Sequence, residues 1–170
     1  MKIYFASDFH LGAPNWEESS AREKRLVCWL DEIKGDAKEI YLMGDLFDFW
    51  FEYKEVVPKG FVRFIGKIAE LSDNGTNIHM IVGNHDMWMM DYFNKELNIN
   101  IYHGLIKVQI NNNSLLVGHG DGLGKGDIGY KLLKILFKNQ FVKFLYRWIH
   151  PDIGIKIGKY LSNSKKRKNY

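Results

Sequence analysis

The chain is predicted to be an α/β protein. Three observations carry that prediction: short apolar runs alternate with segments of helical period, each run stops at a small or acidic residue, and the order is β-α-β-α-β. Such an order implies parallel strands joined by helical crossovers, since parallel neighbours cannot be joined by a tight turn. Its 170 residues suffice for one ordinary domain with a sizeable core.

The first run, Lys-Ile-Tyr-Phe-Ala at 2–6, stops at Ser7-Asp8 as a buried strand would. Residues 16–34 then set Leu26, Val27, Leu30 and Ile33 at helical spacing, and Gly35 ends that helix. A second run, Glu39 to Met43, stops at Gly44-Asp45. Phe61, Phe64, Ile65 and Ile68 mark a second helix, from about 61 to 71, closed by Asn74-Gly75. Ile78 to Val82 makes a third strand, ending at Gly83-Asn84. Met87-Trp88-Met89-Met90 reads as core packing or the wall of a pocket. Leu105–Ile110 and Ser114–Gly118 flank three asparagines, which tolerate the positive φ of a hairpin turn. From Ile128 to Leu161 the pattern is helical, broken near Asn139 and Pro151.

Composition narrows the class. With 46% hydrophobic and 26% charged residues, the chain is globular in character, not disordered. One cysteine, Cys28, excludes an internal disulfide framework and fits a reducing compartment. The N-terminal apolar run is too short for a signal peptide, and no stretch approaches the roughly 18–20 apolar residues of a membrane span. A cytoplasmic location is expected. The net charge of +4 hides an asymmetry: residues 1–130 carry 13 basic and 19 acidic side chains, and residues 131–170 carry 11 and 1. An acidic body suits cations, and a basic end suits phosphates or an anionic membrane face.

The strand ends carry the chemistry. Asp8 and His10, then Asp45 and Asp48, then Asn84, His85 and Asp86, then His119 and Asp121 each stand where an apolar run stops. In α/β sheets, ligand sites lie at the carboxyl ends of the strands. Asp, His and Asn are hard-to-borderline ligands, suited to manganese, iron, zinc or magnesium. A single strand-end Asp or Asn is as often a turn former or helix cap, whereas four such ends with histidine at three point to a metal centre. Asp48 and Asp86 are open to two readings, orienting ligands or capping backbone.

Asp8-Phe9-His10, Gly44-Asp45, Gly83-Asn84-His85-Asp86 and Gly118-His119-Gly120-Asp121, in that order, resemble the signatures of calcineurin-like metallophosphoesterases. The resemblance covers nearly the whole chain. It implies a β-sheet sandwich flanked by helices and a hydrolase using two divalent metal ions, manganese first, to attack a phosphate ester or anhydride. By it, Asp8 and His10 sit on the first metal, Asp45 bridges both, and Asn84 and His119 hold the second. His85 resembles the family's histidine that touches the scissile phosphate and aids the leaving group, which makes His85 and Asn84 the catalytic candidates. Asp48, Asp86 and Asp121 would support the ligands from behind. The family closes its site with a late Gly-His-x-His block that has no counterpart here. The expectation is therefore a catalytic core over 1–123 lacking its C-terminal strands, as a fragment of a longer chain would, followed by a basic helical lid and tail over 124–170.

Within that lid, Phe141, Val142, Phe144, Leu145 and Trp148 lie at helical spacing among Lys143, Arg147, Lys156 and Lys159. A basic amphipathic helix of this kind suits a membrane surface. The block around His119, with Asp127 and then Asn163-Ser164-Lys165, is similar to the UDP-2,3-diacylglucosamine pyrophosphatase branch, which serves lipid A synthesis. That implies a UDP-linked glycolipid substrate, with Asp127, Ser164, Lys168 and His85 contacting it. It also implies UMP and diacylglucosamine 1-phosphate as products, and peripheral attachment to the inner membrane. Well-known members carry arginine where this chain has His85. No nucleic-acid or obligate protein partner is expected: the Lys165–Lys168 cluster is short and lacks an aromatic stacking platform. Two other readings stay open, a phosphodiesterase of soluble substrates and a non-catalytic scaffold. His79, His103 and His150 match no block and read as structural or surface histidines.

Overall fold

The computed structural model describes residues 1–121, 137 and 139–164, without the side chains of Asn163 and Ser164. Its main sheet is parallel, in the order β1 (Lys2–Ala6), β2 (Ala37–Met43), β3 (Asn77–Ile81) and β4 (Asn100–Tyr102). Helices α1 (Trp16–Ile33), α2 (Val62–Asp73) and the short α3 (Tyr92–Leu97) make the crossovers. Each strand adds to the same growing edge, so three consecutive strand ends emerge side by side. β5 (Ile106–Ile110) and β6 (Asn113–Val117) form a separate antiparallel hairpin. Its turn holds Asn111 and Asn112 at φ of +45° and +65°, as their tolerance of that region predicts. Helices α4 (Gln140–Arg147) and α5 (Pro151–Ser164) follow, the first capped by the Asn139 side chain and the second opening on Pro151. The expected boundary between core and lid lies outside the described residues.

Apolar periodicity accounts for the core. Leu26, Leu30 and Ile33 of α1 and Phe64, Ile68 and Leu71 of α2 pack with Ile40 and Leu42 of β2 and Ile78 and Met80 of β3. α1 begins where the Asn15 side chain accepts the Glu18 N–H at 2.9 Å. α2 lacks a side-chain cap of its own. The buried Glu23 carboxylate of α1 accepts its first free N–H groups, those of Arg63 and Phe64, at 2.9 and 3.1 Å.

The segment from Leu46 to Tyr53 is buried along most of its length and joins this core to a second cluster. There Phe51, Tyr53 and Trp88 meet Tyr146 of α4. Trp88 and Met89 of the Met-Trp-Met-Met run are buried, and Trp88 and Met90 also line a cavity, so the run serves both packing and a pocket wall. Glu52, equally buried, accepts from Trp50 Nε1 and from the backbone N–H groups of Asp91 and Tyr92, which satisfies its charge and the entry to α3.

Candidate metal centre

The ends of β1, β2 and β3 deliver their polar residues through unusual backbone. Asp8, His10 and Asp45 have φ of +59°, +43° and +53°, and Gly44 between β2 and Asp45 has +84°. Non-glycine residues adopt this region at a cost, and such strain gathers at functional sites. Cross-strand hydrogen bonds hold them there: Asp8 N–H donates to Gly44 O at 3.1 Å and His10 N–H to Asp45 O at 2.9 Å. Arg22 of α1 adds a clamp, its Nη1 lying 3.0–3.1 Å from the carbonyls of Phe9, His10 and Ala13. Two glycines make the closeness possible. A Cβ at Gly44 would fall 2.8 Å from the His119 ring, and one at Gly83 would strike Asp45.

Asp45 is the hub. Its buried carboxylate places Oδ2 3.3 Å from His119 Nε2, 3.8 Å from His10 Nε2 and 4.0 Å from His85 Nε2. Oδ1 accepts the His85 backbone N–H at 2.9 Å. Two of the three rings are anchored from behind. His119 Nδ1 donates to the Met43 carbonyl at 2.9 Å, and His85 Nδ1 to the Asp48 carbonyl at 3.0 Å. A carbonyl only accepts, so the proton on that bond sits on Nδ1 and Nε2 is left facing Asp45. Ligating histidines carry this arrangement in metal sites. Burial pushes the Asp45 carboxyl up, but the hydrogen bonds from His119 and the His85 backbone outweigh it and hold it below the usual range. Its partner His119 is held up at about 9, chiefly by that hydrogen bond, with burial working the other way.

The ligand atoms gather in two groups, Asp8 with Asp45 and His119, and His10 with Asp48 and His85; within each they lie within 4.8 Å of one another. Asp45 Oδ2 reaches histidines of both. Nitrogen and oxygen donors converging from anchored rings onto a shared carboxylate fit divalent cations of the borderline-to-hard kind. Asp48 lies between two rings, its Oδ1 3.8 Å from His10 Nδ1 and 3.7 Å from His85 Nδ1. Asp86 faces the backbone: its oxygens accept the N–H groups of Gly83 and Leu46 at 2.7 and 2.8 Å. Complete burial and the nearby Asp45 charge push its carboxyl up to about 6.

Asn84 follows Gly83 at the end of β3, and Asp121 follows the end of β6; both are partly buried, and Asp121 belongs to neither group. His79 lies on the sheet, stacked on Tyr41, and His103 and His150 are exposed, so none of the three joins the site. Asp127, Lys168 and the Ser164 side chain lie outside the described residues. Arg22 and Ser162 escaped sequence reasoning. Ser162 of α5 lies with its Oγ 2.8 Å from His85 Nδ1, and no local pattern marks a residue whose partner is 77 positions away. A cavity of about 270 Å³ is walled by Phe51, Trp88 and Phe144, with Lys143 and Arg147 also lining it.

Comparison with known proteins agrees with this geometry. The family profile described as calcineurin-like phosphoesterase matches residues 1–164. A UDP-2,3-diacylglucosamine hydrolase of Porphyromonas gingivalis is 44% identical over 160 residues, covering 92% of this chain and 61% of its own length. Namesakes from Pseudomonas fluorescens and Ectopseudomonas mendocina are 31% and 28% identical, covering 85% and 96% of this chain and 56% and 66% of their own. The chain thus spans between about half and two thirds of the length of these relatives. With a profile match that takes in every strand end of the site, the chain belongs to the calcineurin-like phosphoesterase family.

Proposed function

We propose that the protein is a two-metal hydrolase that cleaves the diphosphate of UDP-2,3-diacylglucosamine, giving UMP and 2,3-diacylglucosamine 1-phosphate. The observation that carries the reaction class is the convergence of three imidazole Nε2 atoms on Asp45 Oδ2. The substrate reading is supported by the names of the relatives. Asp8, His10, Asp45, Asn84 and His119 would hold the two cations, manganese being the first choice. Bound there, the cations would supply positive charge for the phosphate oxygens and activate water at neutral pH. The chain's own part is positional. Asp45 shares its carboxylate between the two groups, and His85 presents Nε2 where it can serve a leaving phosphate oxygen. Asp48 backs His85, and Asp86 fixes the loop that bears it. Asp127, Ser164 and Lys168 would meet the glucosamine and phosphate, and Asp121 would support the metal ligands from behind.

The helical end supports a lipid substrate and a place on the cytoplasmic face of the inner membrane. α5 turns its small residues inward, with Gly154 and Gly158 buried. Its large ones face out: Ile153, Ile157, Tyr160 and Leu161 are 55%, 39%, 67% and 40% exposed. α4 does likewise with Phe141, Phe144, Leu145 and Trp148. Apolar stripes at spacings of three and four, beside Lys143, Arg147, Lys156 and Lys159, suit an acyl-rich anionic surface better than water. Among the described residues no helix is long and apolar enough to cross a membrane.

The test is UMP release from UDP-2,3-diacylglucosamine with added manganese. The expected result is release that falls at least about a hundredfold in His10→Ala and Asn84→Ala. Cleavage of a soluble phosphodiester alone would overturn the substrate. No cleavage of either, with no metal retained at equilibrium dialysis, would overturn the enzyme reading in favour of a scaffold.

A further inference from the structure

The helical end touches the metal centre at one atom. Gly154, Gly158 and Ser162 follow one another at intervals of four, so they line one face of α5. Gly154 lies against the Tyr53 hydroxyl and Gly158 against the Phe49 ring, each so close that a Cβ would collide. That contact lets α5 settle low enough for the next residue on the face to reach the site. Ser162 Oγ comes to 2.8 Å from His85 Nδ1, the same nitrogen that donates to the Asp48 carbonyl at 3.0 Å.

One N–H shared between two acceptors fixes more than one bond does. The Asp48 carbonyl sets which nitrogen bears the proton. A single contact still lets the ring tilt about it; a second, from a different element, removes that freedom. Nε2 is thereby held toward Asp45, 4.0 Å away. Orientation of a reacting group matters steeply, since displacement by about 1 Å costs up to a hundredfold in rate.

We propose that Ser162 is a positioning residue: its hydroxyl, carried by α5, locks the ring of His85, so that docking of the helical end and readiness of the site are one event. The hydrogen-bond geometry carries this, and only its kinetic arm rests on the proposed hydrolysis.

The test compares the 170-residue protein with Ser162→Ala and Ser162→Thr. Long-range proton–nitrogen spectra report the His85 ring, assigned by its absence in His85→Gln. The parent should show a protected Nδ1 proton that exchanges with water about tenfold faster in Ser162→Ala and at the parental rate in Ser162→Thr. With bis(p-nitrophenyl) phosphate and manganese, Ser162→Ala should lower kcat about tenfold at unchanged KM, and Ser162→Thr should restore it. Equal exchange in parent and Ser162→Ala overturns the proposal, as does a Ser162→Thr protein that restores neither readout. A parent that hydrolyses nothing would bear on the proposed hydrolysis by this form and not on Ser162, whose role the exchange measurement would still decide.

Discussion

His119 and Asp45 form an ion pair where a cation is expected to sit, and that has a measurable consequence. The ring is held up at about 9 by the carboxylate it touches. A cation taking Nε2 must displace that proton. Metal affinity of the free protein should therefore rise as pH rises toward 9, about tenfold per unit for one proton released, and flatten above it. Calorimetric manganese titrations at two pH values below 9 would check this, and an affinity indifferent to pH would remove His119 from the ligand set. At this scale the strand-end residues were legible because each stands where an apolar run stops. Ser162 was not, since its role depends on how low a distant helix lies. The sequence also left Asp86 open between two duties, and its hydrogen bonds from the backbone N–H groups of Leu46 and Gly83 fit the capping one.

At the scale of elements, β1 to β3 and their two long helices followed from period and punctuation. α3 and β4 did not. One has six residues and the other three, too few for a period, and the entry to α3 is satisfied by Glu52 from a segment some 40 residues earlier. The seat of α5 gives a prediction whose sign is informative. Gly→Ala inside an exposed helix stabilises it by about 0.5–1 kcal/mol. At Gly158 the added methyl meets the Phe49 ring, which packs edge-on against Trp88. Gly158→Ala should therefore destabilise the protein by about 1–3 kcal/mol, read from urea unfolding followed by tryptophan fluorescence. A gain in stability would show that α5 does not pack there.

For the molecule as a whole, charge and apolarity are divided between its two ends. Vesicles containing anionic lipid should bind the protein, with Trp148, now 78% exposed, shifting its emission to the blue. Binding should weaken as salt is raised toward 0.5 M and the Debye length shrinks. Combined Trp148→Ala and Phe144→Ala substitution should cost at least about tenfold in partitioning. Binding that ignores both changes would place the membrane contact elsewhere. The acidic body was legible as suited to cations from charge alone, but the inward glycines of α5 were not, because composition does not say which face of a helix is covered.

The Asp86 carboxylate bonds the loop after β2 to the loop after β3, two turns that lie about 40 residues apart. Both loops are stitched from within, by a carboxylate that accepts backbone N–H groups. A cation arriving at the site thus meets two loops already tied to one another through a single side chain.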